Sequence, residues 1–145
     1  MAGNPGIEPR LLELIGQVPF WETVGISLDN AEVGRVRLRL AMREDLRTFG
    51  ERRVLHGGAI ATLIDSAAAS ATRTLRGEDE PPWRGLATTD MHVSYLAAVT
   101  GGEVIAEGRV LRAGRSVAFL DVEVRNEDGD LVARGSATMQ IRRAN

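Results

Sequence analysis

The chain has 145 residues, 43% of them apolar and 26% charged, with a net charge of −2. That is one domain's worth of sequence with an ordinary globular composition, and its charge offers no general attraction to nucleic acid or to acidic membranes. The absence of cysteine removes disulfides, thiolate catalysis and Cys-rich zinc sites, and two histidines, His56 and His92, are too few for a His-based metal cluster.

All 18 basic residues are Arg. Genomic base-composition bias explains this first, and a preference for planar phosphate-binding groups second. The start, "MAGNPGIEPR", lacks the charged and apolar regions of a signal peptide, and no apolar run is long enough to span a membrane. The expectation is a soluble, cytoplasmic protein.

In chain order, residues 1–8 read as a flexible terminus and 9–145 as a single domain. "PRLLELIGQV" (9–18) predicts a short amphipathic helix, and "PFWETVGI" a turn or second short helix packing Phe20 and Trp21. "RVRLRLAM" alternates Arg35, Arg37 and Arg39 with Val36, Leu38 and Leu40, the period of a strand with one wet face. "VLHGGAIATLIDSAAASATRTL" (54–75) predicts one long helix, and "GEDEPPWRG" a loop. Four segments follow, "LATTDMHVSYLAAV", "EVIAEGRVLRAG", "RSVAFLDVEVRN" and "LVARGSATMQIRR", separated by turn signals at Gly101-Gly102, Gly114 and "NEDGD". In the last, Leu131, Ala133, Gly135, Ala137, Met139 and Ile141 share one face. The pattern is an α+β domain in which an antiparallel sheet wraps one central helix.

On a helix over 58–75, two stripes separate. Ile60, Leu63, Ile64, Ala67, Ala71 and Leu75 form the face for the sheet. Gly58, Ala61, Thr62, Asp65, Ala68, Ala69 and Thr72 form a second face, small throughout except for one carboxylate. Asp65 can be a solvated helix residue, a hydrogen-bond anchor in a subunit interface, or a reactive group facing a slender ligand. The His56-Gly57-Gly58 entry places backbone N–H groups without helical partners at the positive end of the helix, where they can polarise a carbonyl. Gly58 and Asp65 are seven residues apart, roughly 10 Å along the axis. Both act on one carbonyl only if they come from two chains with antiparallel helices, which predicts a dimer with composite sites.

"HGGAIATLIDSAAASA", "TTDMHVSYLAAV" and "LRAGRSVAFLDVEV" resemble the hotdog-fold acyl-CoA thioesterases of the PaaI-like group, relatives of 4-hydroxybenzoyl-CoA thioesterase. The resemblance covers roughly residues 20–142. It implies a helix wrapped by an antiparallel sheet, a homodimer with a continuous sheet, often a homotetramer, and hydrolysis of an acyl-CoA with no metal or other cofactor. By position, it implies that Asp65 is the general base or nucleophile. The Gly57 amide of the other subunit would then polarise the carbonyl, and His56 would shape that turn. Thr88 stands where the family often has Ser or Thr near the attacking water. Gly58, Thr62, Tyr95, Arg112, Gly114, Arg115 and Ser116 fall in the substrate-binding regions, the last four and Tyr95 along CoA. One departure is Gly50, where many relatives carry Asn or Gln six residues before the His.

Three functions compete. Acyl-CoA thioesterase is the first. A non-catalytic acyl-CoA or aromatic-ligand binding module on the same fold is the second, favoured by Gly50. A hotdog dehydratase is third and weakest, because His56 and His92 are not set in that motif. "RVRLRL" is not a nucleic-acid stripe, since Glu32, Glu44 and Asp45 flank it, and the N-terminal segment is too short and charged for a membrane anchor.

Overall fold

The computed structural model describes residues 6–144. Two short helices, α1 (Pro9–Ile15) and α2 (Pro19–Val24), precede a hairpin of β1 (Ile26–Glu32) and β2 (Arg35–Ala41). A 3-10 turn at Glu44–Leu46 and a loop lead into the long helix α3 (Gly57–Arg73), and β3 (Gly85–Tyr95), β4 (Glu103–Ala113), β5 (Val117–Asn126) and β6 (Leu131–Arg142) follow. The strands form one six-stranded sheet in the order β1-β2-β4-β5-β6-β3, with antiparallel neighbours throughout. The expected sheet wrapped around one helix is the observed architecture.

The predicted helix faces need one revision. Leu63, Ile64, Ala67 and Ala71 have no exposed surface, and Ile60 has little, so the aliphatic stripe does pack on the sheet. Burying a Leu or Ile fully contributes roughly 2 kcal/mol. Leu75 lies beyond the helix and is half-buried. Ala68 and Thr72, assigned to the small open face, are buried as well, and the Thr72 hydroxyl donates back to the Ala68 carbonyl. The face left open is narrower than expected and contains Ala61, Thr62, Asp65, Ser66 and Ala69.

Two strand glycines let the helix settle. A Cβ on Gly108 of β4 would lie 2.6 Å from the Ala67 carbonyl oxygen, and one on Gly135 of β6 would lie 2.6 Å from Ile64 Cγ2. No larger residue fits beneath α3 at either place. Strand β1 has no element of its own in the sequence reading, although Ile26 and Leu28 alternate inward and Gly34 supplies the hairpin turn at a φ of 80°. Of the segment 1–8 expected to be flexible, residues 1–5 lie outside the described residues, and Ile7 is buried in the core.

β3 occupies one edge of the sheet and pairs only with β6. A register shift between Thr88 and Asp90 inserts Thr89 as a bulge. Thr88 opposes the buried Met139 and Tyr95 opposes Ala133, so both side chains turn toward α3, while Asp90 opposes Thr138 on the outer face. Bulges of this kind re-aim side chains beside functional sites.

Candidate active site

Asp65 sits half-buried in the middle of α3. The Thr88 hydroxyl donates to its Oδ1 at 2.6 Å, a short bond suited to an ionised acceptor. Among the described residues, Asp65 has no cationic partner and its Oδ2 accepts no hydrogen bond. One oxygen is therefore held and the other is free. Thr88 Oγ1 also lies 3.3 Å from Met139 Sδ, a weak acceptor that cannot compete with a carboxylate for the single hydroxyl proton.

The helix entrance is tied by side chains. His56 is the N-cap of α3, and its Nδ1 accepts the Gly58 N–H at 2.7 Å. An accepting Nδ1 leaves the proton of neutral imidazole on Nε2. The Tyr95 hydroxyl donates to the Gly57 carbonyl at 2.8 Å. Gly57 N–H has no acceptor among the described residues, as expected of a first-turn donor.

The chain's own packing requires the two glycines. A Cβ on Gly57 would stand 3.2 Å from the Tyr95 ring, and one on Gly58 would stand 2.9 Å from His56 Nδ1. The space that glycine opens is filled by the chain's own Tyr95 and His56. Gly58 cannot serve as a substrate donor in this arrangement, because its N–H is already used. Gly57 keeps that possibility.

A cleft of about 250 Å³ runs between α2 and α3, with Asp65, Phe20, Trp21 and Thr62 in its walls. Trp21 is fixed there by its indole N–H, which donates to Ser66 Oγ at 3.1 Å. A second cleft of about 240 Å³ meets the first at Thr62 and is bordered by His56, Gly58 and Arg47. The Thr62 hydroxyl is spent on the Gly58 carbonyl at 2.9 Å, so this residue contributes shape rather than a free donor.

The hairpin after β4 lies apart from both clefts. Gly114 and Arg115 border a separate cleft with Glu80 and Arg143, and the carbonyls of Arg115 and Ser116 accept from Arg143 Nε and Ile141 N. Arg112 is exposed on β4, opposite Phe119. Within one chain these four residues are not brought to Asp65. Gly50 takes a φ of 109° in an exposed loop with nothing within 4 Å, a conformation that an Asn or Gln side chain would strain.

Ser66, Ser70 and Arg73 join the cleft without having been singled out from sequence. Their signal is helical spacing: Ser66, Ser70 and Arg73 stand at i, i+4 and i+7 beside Asp65 and Ala69. Among the described residues, no group of three or more His, Cys, Asp or Glu side chains is placed to hold a metal ion, and no helix is long and apolar enough to cross a membrane.

The family model of the thioesterase superfamily matches residues 53–133, from just before His56 to the start of β6. The chain is similar to the medium/long-chain acyl-CoA thioesterase YigI of Escherichia coli, with 31% identity across 91% of this chain and 94% of that protein. It spans 66% of the length of a Halobacterium salinarum relative, at 36% identity over 70% of its own. Among solved structures it superposes on the conserved protein PA5202 from Pseudomonas aeruginosa with a TM-score of 0.78 and 33% identity, covering 89% of this chain and 97% of that one. The E. coli PaaI protein from the phenylacetic acid degradation operon shares the fold, with a TM-score of 0.75 at 17% identity over 89% and 86% of the two chains. The chain belongs to the thioesterase superfamily and has its hotdog fold. Its activity is thioester hydrolysis.

Proposed function

We propose that the chain hydrolyses an acyl-CoA thioester to the free acid and CoA, in a site shared by two copies. Asp65 is the reacting carboxylate. As general base its free Oδ2 takes a proton from water, whose oxygen attacks the thioester carbonyl carbon; as nucleophile it attacks that carbon itself, and after CoA has left, water cleaves the resulting mixed anhydride to free acid and Asp65. In either case the C–S bond breaks, and CoA leaves as a thiolate that recovers a proton. Thr88 fixes the carboxylate, and the Gly57 amide of the partner subunit stabilises the negative charge on the carbonyl oxygen. Arg112, Gly114, Arg115 and Ser116 meet the CoA portion along the dimer surface. The observation that carries this reading is the half-buried Asp65, held by Thr88 with one oxygen free, in an open cleft of a thioesterase-superfamily chain.

The second copy is supported by two features. Gly57 and Asp65 are eight residues apart on one helix, about 12 Å of rise, too far for one carbonyl to meet both. The 11-residue edge strand β3 exposes its unpaired side along with Met91 and Tyr95, and edges of that length are usually covered. Pairing β3 with its copy would extend the sheet and bring the two α3 helices together.

Thiol release from short, medium, long and aromatic acyl-CoAs tests the reading, with Asp65→Asn measured beside the wild type. Turnover is expected to fall at least about a hundredfold in kcat. Near-normal turnover in the variant would remove Asp65 from the chemistry. The competing reading, a non-catalytic acyl-CoA-binding protein, stands on Gly50 alone. It requires binding of CoA esters with no thiol release across the panel.

A further inference from the structure

We propose that the cleft between α2 and α3 receives the acyl chain and that its far end selects an acyl group ending in a carboxylate. The inference rests on the reading of Asp65 as the reacting carboxylate, because that residue defines the near end of the cleft. Its middle is apolar, with Phe20 and the pinned Trp21 on one side and Ala69 on the other. Its far end is polar, and among the described residues its polar groups are only partly satisfied.

Two observations meet there. Ser70 is fully buried and borders the cleft, yet among the described residues its Oγ has no hydrogen-bond partner. Buried hydroxyls are nearly always paired, so an orphan at a cleft wall points to a group that arrives with the ligand. Arg73 also borders the cleft and is half-buried, and among the described residues it pairs with no carboxylate. Its one hydrogen bond runs from Nη1 to the Ile15 carbonyl at 3.0 Å, which leaves most of the guanidinium donors free. A partly desolvated cation without a counter-ion favours an anion beside it. A carboxylate meets both groups, since it can take a forked pair of bonds from Arg and one from a Ser hydroxyl.

The spacing fits an extended acyl chain. Asp65 and Arg73 are eight residues apart, about 12 Å of helical rise. Side chains on a helix lean toward its N-terminus, so the guanidinium reaches back over the cleft and shortens that span. A chain of medium length with a terminal carboxylate bridges the distance, and an unsubstituted alkyl chain of the same length would bury its methyl against Arg73.

The test is calorimetric binding of two non-hydrolysable thioethers, S-octyl-CoA and its counterpart carrying a carboxylate on the last carbon. The wild type is expected to bind the carboxylate form at least tenfold tighter. Arg73→Gln should bring the ratio to about one while S-octyl-CoA still binds, Arg73→Lys should keep part of the preference, and Ser70→Ala should reduce it severalfold. Equal affinities in the wild type, or a preference that survives Arg73→Gln, would overturn the proposal. Should Arg73→Gln loosen α1 through the lost Ile15 bond, the wild-type ratio and Ser70→Ala still decide. Thiol release from suberyl-CoA and octanoyl-CoA separates the two levels of the reading. No release from either or from the wider acyl-CoA panel, with the binding preference intact, refutes the hydrolase and leaves the cleft as a carboxylate-selective acyl-CoA-binding site. Release from octanoyl-CoA without a binding preference refutes this inference alone.

Discussion

The decisive residue contact is a hydroxyl on a carboxylate. A bond from Thr88 to an ionised Asp65 is worth roughly 1.5–3 kcal/mol. Thr88→Val keeps the shape and removes the donor, and kcat should fall about tenfold with KM little changed, since the loss affects the orientation of Asp65 more than ground-state binding. Thr88→Ser should retain most of the activity. Steady-state kinetics of the two variants separate positioning from packing. Asp65 and the His-Gly-Gly turn were legible in the sequence because a carboxylate among small residues and a glycine pair at a helix start are unusual local patterns. The meaning of the glycines was not legible. It depends on Tyr95, 38 positions away, whose ring fills the space above Gly57. Ser70 and Arg73 were not legible for a similar reason, since a hydroxyl without a partner and a guanidinium without a counter-ion are visible only once their surroundings are known.

At the scale of elements, α3 and the sheet define each other through Gly108 and Gly135. Gly108→Ala would drive a methyl against the Ala67 carbonyl at 2.6 Å, and backbone on both sides leaves no flexible side chain to yield. Overpacking of this kind should cost about 3 kcal/mol, read as a lower denaturant midpoint with an unchanged slope. The elements with strong periodicity, β2, α3 and β6, were recognisable from sequence because each buries one clean face. β1 was not, because its polar middle, Asp29 and Asn30, interrupts the alternation at a register shift. β3 gave a strand pattern but no hint of which face is buried. Most of it stays exposed in a single chain, and only its bonds to Asp65 and Gly57 reveal the inward row.

At the scale of the molecule, Glu80 joins the loop before β3 to the C-terminal end of β6. Its carboxylate accepts from Arg143, from the Trp83 indole at 2.7 Å and from Gly77 N–H at 3.1 Å, and Arg143 also lies over the Trp83 ring. Burial pushes the Glu80 carboxyl up, but these bonds outweigh it and hold it below the usual carboxylate range. A lowered folded-state value means that stability is fully present above the ordinary Glu value, about 4.3, and is lost as pH falls through the folded value. Between about pH 5 and pH 3 the wild-type Tm should therefore fall more than that of Glu80→Gln, and the two should converge in acid.

The central claim is that one reaction centre draws Asp65 from one chain and the Gly57 amide from another. Mixing two inactive variants under conditions that allow subunits to exchange tests it most directly. Asp65→Asn lacks the carboxylate. Gly57→Pro lacks the N–H at a first-turn position where proline's backbone is tolerated, and its Cβ requires the Tyr95 ring, 3.2 Å away, to shift by a few tenths of an ångström. A mixed dimer would hold one site with both lesions and one intact site. Thiol release should therefore rise from near zero to about a quarter of the wild-type rate in an equal, random mixture. Activity that stays at the level of the separate variants, in mixtures shown to contain mixed dimers, would contradict the composite site.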